Sequence, residues 1–462
     1  MTSVSVLRLE PRLQPHLGGD AQVPRAALLD RLQASSRTPV AAVLAPPGYG
    51  KTTLLAQWAE RDPRAFGWLT IDRRDNDPSV LLRSLAAAVD RIEPVDGEAL
   101  DAPGAPAVDA VLPRLGSALS LAPLPGVLVL DDVHLLHNRA CLDVVTGLID
   151  YLPPGSQLAI AGRGEPPLPL ARLRAEGRLV EVGPEDLAMD CAEAGSLLAQ
   201  GDVDVARVDV AEVVRRTEGW PVALRFAALS LGADGRRAAP AAPLAGDDRF
   251  LVDYVQFELL SRVPRRLVSF LTRCSVLERL SGPLCDAVLA TTGSADLLES
   301  LSRSNLLVTP LDRRGQWYRL HRLFRELLRG QLERREPALA VELARRAAEW
   351  CEGNGSPEAA VEYAIAAGDA DRAARVVVDL ALPPTGPCRR GSSSAGSAGS
   401  RPTGWSIGTR AWPSSGPGST WSLGGRPPPS VGPTPPSGRR PTATARPTGR
   451  WRCSGRRCAG RG

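Results

Sequence analysis

Val40-Ala41-Ala42-Val43-Leu44 runs into Ala45-Pro46-Pro47-Gly48-Tyr49-Gly50-Lys51-Thr52-Thr53 and then into Leu54-Leu55-Ala56-Gln57-Trp58. The first segment is wholly apolar and reads as a buried parallel strand. The second is a glycine-bearing turn, and the third has a helical pattern. A strand, such a turn, Gly-Lys-Thr and a helix together form the setting of a phosphate-binding loop. Backbone N–H groups of the turn converge on a phosphate, and the helix N-terminus adds its positive end. Gly48 and Gly50 let the chain curl there without a Cβ. The ligand expected is ATP or ADP; with ATP, Lys51 is expected between the β- and γ-phosphates, with the Thr52 hydroxyl on Mg²⁺. Pro47, Tyr49 and Thr53 complete the nucleotide-binding set. The match to GxxxxGK[ST], the Walker A pattern, is incomplete, because Ala45 stands at the first glycine. A strand-to-helix loop of the same spelling is the competing reading.

Composition sharpens that choice. The chain has 462 residues and 56 basic side chains, of which Lys51 is the only lysine. A chain that uses arginine wherever positive charge is needed keeps its one lysine where a compact ammonium on a flexible stem is required.

A second half-site lies eighty residues on. Gly126-Val127-Leu128-Val129-Leu130-Asp131-Asp132-Val133-His134 is an apolar strand ending in two carboxylates. Asp131 is placed to hold the Mg²⁺ shell and Asp132 to polarise an attacking water. An Asp pair that merely caps a following helix is the alternative. Phe66 to Asp72 reads as another strand. Asp77-Pro78 then opens a helix with Leu81, Leu85, Val89 and Ile92 on one face. Gln157 to Gly162 is a fourth strand, ending at Arg163, a candidate γ-phosphate sensor or a plain surface arginine. Strands alternating with helices predict a parallel α/β sheet with its ligand at the carboxyl ends of the strands.

Three later segments carry a family resemblance. They are Thr217-Glu218-Gly219-Trp220-Pro221-Val222-Ala223-Leu224, Ser275 to Val288, and Trp317-Tyr318-Arg319-Leu320-His321-Arg322-Leu323-Phe324-Arg325-Glu326-Leu327-Leu328. Together with residues 45–53 they resemble, in order, the MalT-like branch of the STAND signalling ATPases. These are the large ATP-binding LuxR-type transcriptional regulators, related to AAA proteins, and the resemblance covers residues 20–382.

It implies a P-loop nucleotide-binding domain at 20–180 and a small helical domain with a Gly-x-Pro element at 181–245. A winged-helix domain at 246–335 and the first TPR-like helical repeats at 336–382 follow. It also implies that Pro221 packs near the adenine, that His321 contacts the β-phosphate, and that Arg25 lies at the adenine side. In such proteins ATP exchange and an inducer, unknown here, open a clamp. Self-association follows, and a C-terminal domain binds DNA. From the residues alone, Leu306 to Pro310 and Trp317 to Leu320 flank Asp312-Arg313-Arg314-Gly315 as a hairpin. Ala338 to Glu352, a helix opened by Pro357 and a third helix ending near Leu380 read as the repeats.

Residues 1–382 carry a net charge of −8, whereas residues 383–462 hold 13 arginines and no Asp or Glu. Four of the nine tryptophans fall in that tail, among Pro, Gly and Ser. Such a composition is expected to be disordered. The abrupt loss of acidic residues and of periodicity reads as a frameshifted continuation, so the chain is expected to lack its DNA-binding domain. An arginine-rich arm that binds nucleic acid by charge is the alternative. No run reaches the length of a membrane span and no secretory leader is seen, so a cytoplasmic protein without a membrane partner is expected. The eight cysteines lack metal-ligand spacing.

The function expected is an ATP/ADP-binding signalling switch with at most slow ATPase activity. An AAA+-like motor and a non-catalytic P-loop scaffold are the alternatives.

Overall fold

The computed structural model describes residues 10–15, 22–95, 108–234 and 248–381. The apolar runs of the sequence become strands β1 (Val40–Leu44), β2 (Phe66–Thr70), β3 (Val127–Asp131) and β4 (Gln157–Gly162). With β5 (Leu179–Val182) they form a parallel sheet in the order β2-β3-β4-β1-β5. Val40 pairs with Leu158 on one side and Leu179 on the other, and Val129 pairs with Ala159.

Both faces are covered, which is why the central strands show no polar alternation. Around the sheet run α1 (Ala26–Ala34), α2 (Lys51–Arg61), α3 (Pro78–Val89), α4 (Val108–Leu121) and α5 (Arg139–Asp150). On one face Ala41, Val43, Val129 and Ala159 pack with Leu54, Leu55 and Trp58 of α2. On the other, Val40, Ala42, Leu128 and Ile160 pack with Leu81, Leu85, Leu115 and Val145 of α3, α4 and α5. The α3 start is the one expected: the Asp77 carboxylate accepts from Ser79 N at 2.8 Å, and Pro78 occupies the first helical position.

Two details differ from expectation. β2 stops at Thr70 rather than Asp72, because the Asp72 carboxylate turns back to accept the Arg74 N–H at 2.7 Å and caps the turn Arg73–Asn76. The α3 face ends at Val89, leaving Ile92 in the turn beyond it. The edge strand β5 is an addition. It has four residues, three of them only partly buried, so it lacks the apolar run that marks its neighbours.

Between β4 and β5 lies α6 (Leu170–Ala175), and beyond the sheet come α7 (Pro184–Leu187), α8 (Cys191–Gln200), α9 (Val210–Thr217) and α10 (Pro221–Asp234). Next, α11 (Arg249–Tyr254) continues into a π-helical turn, Val255–Leu259. Then α12 (Arg265–Cys274), α13 (Gly282–Leu289) and α14 (Ser294–Arg303) lead to the antiparallel hairpin of β6 (Val308–Pro310) and β7 (Tyr318–Leu320). Its loop is held by Asp312, whose carboxylate accepts from the backbone N–H groups of Arg314, Gln316 and Trp317. This wing is the hairpin expected from the sequence. α15 (Arg322–Arg335) follows it, and then α16 (Pro337–Gly353), α17 (Pro357–Ala366) and α18 (Ala370–Ala381) pack in succession.

The α2 face of the sheet, α10, the winged helix and α16–α18 share one continuous apolar core. Tyr363 of α17 accepts the Glu278 N–H at 2.9 Å and ties the last helices to the winged helix. Among the described residues no helix is long and apolar enough to cross a membrane. The arginine-rich tail lies outside the described residues.

Phe324 of α15 is fully buried in the shared core. Phe324→Ala is expected to cost about 3–5 kcal/mol, the usual loss for deleting a buried aromatic ring. Urea unfolding of the two chains measures it, and a loss below about 1 kcal/mol would contradict this packing.

Candidate functional site

The turn between β1 and α2 curls because two of its residues adopt positive φ: Gly48 at 77° and Gly50 at 78°. The backbone N–H groups of Gly48, Tyr49 and Gly50 have no backbone acceptor among the described residues. They stand beside the start of α2, where the helix N-terminus adds its own free donors. This is a cradle suited to phosphate.

Lys51 opens α2 and is buried, with Nζ donating to Ala45 O at 2.8 Å and Pro46 O at 3.0 Å. Burial brings its pKa down to about 8, Asp131 and Asp132 opposing the shift and Arg163 adding to it. The ammonium is therefore held against the loop's own carbonyls and poorly solvated, a state that a nearby anion would relieve.

Thr52 Oγ1 donates to Asp131 Oδ2 at 2.7 Å. The two residues lie 79 positions apart, on α2 and at the end of β3, and β4 runs between β1 and β3. Parallel strands put the carboxyl ends of β1 and β3 on one edge, so the two half-sites read from the sequence meet. Burial raises the Asp131 carboxyl pKa, and the Thr52 hydrogen bond works against that rise. Asp132 sits at φ 57°, turned out of the strand, with its carboxylate 3.6 Å from His134 Nδ1. Among the described residues no group of three or more His, Cys, Asp or Glu could hold a metal. Thr52 and Asp131 contribute one hydroxyl and one carboxylate to this edge, fewer protein ligands than a dedicated all-protein metal cage has.

The later motifs close over this loop. Pro221 begins α10, and the flanking residues bond to the phosphate loop itself. Trp220 Nε1 donates to Pro47 O at 3.1 Å, and Val222 N donates to Gly48 O at 3.1 Å. A Cβ on Gly48 would lie 2.5 Å from Val222 Cγ1 and 2.9 Å from the Tyr254 hydroxyl, so only glycine permits this approach. Trp220, fully buried, meets the rings of Tyr49, Tyr254 and His321 at centroid distances of 6.2, 6.2 and 5.2 Å.

His321, buried at the start of α15, places Nε2 3.1 Å from Thr217 O, and Nδ1 has no partner among the described residues. Beside it Glu218, at φ 50°, accepts from Arg319 with both oxygens at 2.7 Å and from Arg322 N at 3.0 Å. His321, Arg319 and Glu218 share a cleft of about 740 Å³ with Pro46, Tyr49 and Asp186.

Arg25 is buried and committed to the chain. Its guanidinium donates to Leu187 O at 2.8 Å and Asp186 O at 3.0 Å and pairs with Glu193 at 2.9 Å. It thereby fixes the segment 186–188 that lines the cleft, rather than presenting its own charge there. Arg163 follows β4 and donates to Glu258 O at 2.8 Å and Glu258 Oε2 at 3.2 Å.

The structure thus brings Gly48, Tyr49, Gly50, Lys51, Thr52, Asp131 and Pro221 to one place, with His321 on the opposite wall. Trp220, Val222, Glu218, Tyr254 and Glu258 join them without having been singled out as site residues. Trp220 was visible beside Pro221. Glu218 and Val222 lie in the same quoted motif, whereas Tyr254 and Glu258 carry no local signal, because their roles depend on what packs across from them.

Residues 256–340 match the MalT winged helix domain family. The serine/threonine-protein kinase PknK of Mycobacterium tuberculosis is 32% identical over 374 residues, covering 79% of this chain and 34% of PknK. The HTH-type transcriptional regulator MalT of Yersinia enterocolitica is 32% identical over 358 residues, covering 75% of this chain and 39% of MalT. The chain is MalT-like. It spans only between a third and two fifths of the length of these relatives. Among solved structures, a STAND protein with a tetratricopeptide repeat sensor from Pyrococcus horikoshii aligns over 79% of this chain and 51% of its own. Its 16% identity and TM-score of 0.32 are too low to bear on the site.

His321 gives this closure a pH signature. Burial lowers its pKa below the ordinary 6.5, the Glu218 carboxylate opposing the shift. The unfolded chain therefore takes up a proton near pH 6.5 that the folded chain refuses, and stability falls below that pH by at most about 1.4 kcal/mol per pH unit. His321→Gln, which keeps a donor toward Thr217 O, is expected to lose less stability than the unsubstituted chain between pH 7 and pH 5. Thermal melts at the two pH values measure this, and equal losses in both chains would contradict it.

Proposed function

We propose that this chain is a nucleotide-binding switch of the MalT-like kind, holding ATP or ADP in the loop 45–53 with Mg²⁺ supplied alongside the phosphates. The observation that carries the reading is the 2.7 Å bond from Thr52 Oγ1 to Asp131 Oδ2 beside the buried ammonium of Lys51. In this reading Gly48, Tyr49, Gly50 and Thr53 cradle phosphate through backbone N–H groups. Lys51 neutralises the β- and γ-oxygens, and Thr52 and Asp131 hold Mg²⁺. Pro47 and Pro221 form the apolar wall, and Arg25 braces the segment 186–188 on the adenine side. His321 offers its unpartnered Nδ1 from the winged helix toward the phosphates.

The proposed units are a nucleotide-binding domain at 20–180, a helical domain at 181–245, a winged-helix domain at 246–335 and helical repeats at 336–382. Closure of the winged helix over the loop, through Trp220 and the Glu218–Arg319 pair, supports a resting clamp rather than a freely cycling motor. Hydrolysis is proposed to be slow. Asp132, the candidate polariser of water, carries a short side chain that lies 3.6 Å from His134 Nδ1. Transcriptional regulation, an inducer, self-association and DNA binding through a further C-terminal domain are proposals carried by the MalT likeness.

Lys51→Ala is expected to weaken ATP and ADP binding roughly 10- to 100-fold, the worth of a charge-assisted contact. Calorimetry on the purified full chain measures it. Unchanged affinity would mean a scaffold whose loop no longer serves.

Proton linkage gives an independent check. With Lys51 at about 8 in the free chain, the ammonium is intact at pH 7 and mostly lost at pH 9. Nucleotide affinity is expected to drop roughly tenfold between those pH values, as one linked proton requires. A flat profile would remove Lys51 from the phosphates.

A further inference from the structure

Arg163 and Glu258 meet at the carboxyl edge of the sheet, and nothing in the proposed clamp requires them to. Arg163 follows β4, the strand lying between β1, which leads into the loop of Lys51, and β3, which ends at Asp131. Its position is therefore one from which a guanidinium reaches the terminal phosphate of a bound triphosphate. Here both terminal guanidinium nitrogens, Nη1 and Nη2, are turned onto a single residue, Glu258, at its backbone oxygen (2.8 Å) and its carboxylate (3.2 Å).

Glu258 lies in the π-helical turn Val255–Leu259, an irregularity that tends to mark functional positions in helices. The same helical segment touches the phosphate loop a turn earlier, where the Tyr254 hydroxyl lies 2.9 Å from the point a Cβ on Gly48 would occupy. Pro47, His134, Arg163 and Glu258 line one open cleft of about 670 Å³ on this side of the loop.

We infer that Glu258 is a specificity-determining residue that disfavours a nucleoside triphosphate relative to a diphosphate, by occupying Arg163. The inference rests on the proposed nucleotide site and deepens it. A diphosphate, ending at the loop, leaves the Arg163–Glu258 pair intact. A triphosphate must share Arg163 with Glu258 or displace it, and displacement loosens the segment that also holds Tyr254 against Gly48. The pair is partly open to water, with side-chain exposures of 24% and 44%. Its competition is accordingly modest, enough to bias a switch without blocking it.

The test compares ATP and ADP affinities of the full chain, with Mg²⁺, in the unsubstituted protein, Glu258→Gln, Arg163→Ala and the double variant. Glu258→Gln is expected to tighten ATP roughly three- to fivefold, the upper part of the range for releasing one partly screened charge pair, and to leave ADP within about twofold. Arg163→Ala should weaken ATP more than ADP. In its presence most of the gain from Glu258→Gln should vanish, because the two substitutions act through one contact. Unchanged or weaker ATP binding in Glu258→Gln with ADP intact overturns the inference. So does a parallel loss of both nucleotides, which would make Glu258 a support of the loop. If the unsubstituted chain binds neither nucleotide, the nucleotide-site reading fails first and takes this inference with it.

Discussion

The hydrogen bond from Thr52 to Asp131 is the constraint around which this architecture is organised. It joins the first turn of α2 to the last residue of β3 across an intervening strand. It therefore exists only if three parallel strands keep their order and register. Thr70 pairs with Asp131, and Ile71 N donates to Asp131 O at 2.9 Å, so the carboxylate is fixed by the ladder on its β2 side as well. A slip of one residue would send Asp131 to the opposite face of the sheet, because side chains alternate along a strand. The apolar strands on both sides of the sheet are thus the means by which two polar groups are held at bonding distance.

The second organising contact is the indole of Trp220. Its N–H bonds to the phosphate loop, and its faces and edges meet Tyr49, Tyr254 and His321. These rings come from the loop, from the end of α11 and from the start of α15. A large apolar side chain with one polar tip can bury a broad surface and still satisfy its only donor. It does so against Gly48, which must lack a side chain for α10 to come this close. The loop is consequently packed from outside by elements distant from it in sequence. In the proposed reading, a change at bound phosphates would be felt as a change in packing, because close-packed interiors transmit displacement.

Several features were legible from residues alone, and for clear reasons. β1, β3 and β4 were visible because burial on both faces leaves an uninterrupted apolar run. α3 announced its start through Asp77-Pro78, and the wing through Asp312 to Gly315 between two apolar stretches. Lys51 stood out by being the only one of its kind. The short edge strand β5 gave no such signal, since an edge position half open to water tolerates mixed residues. The end of β2 was misplaced because Asp72 prefers a local hydrogen bond to Arg74 over another rung of the ladder.

What this sequence determined by itself is the set of local preferences: which segments are strands, where helices begin, where the backbone needs glycine and where a lone ammonium sits. What only the tertiary structure decided is which side chains share a site. Arg25 ended against the carbonyls of 186–188, Arg163 against Glu258, and Glu218 against Arg319. The pairs Arg25–Leu187, Arg163–Glu258 and Glu218–Arg319 are separated by 162, 95 and 101 residues respectively. The physical reason is that secondary structure follows from near neighbours, whereas the partner of a buried charge is chosen by whatever the folded chain brings within about 3 Å of it.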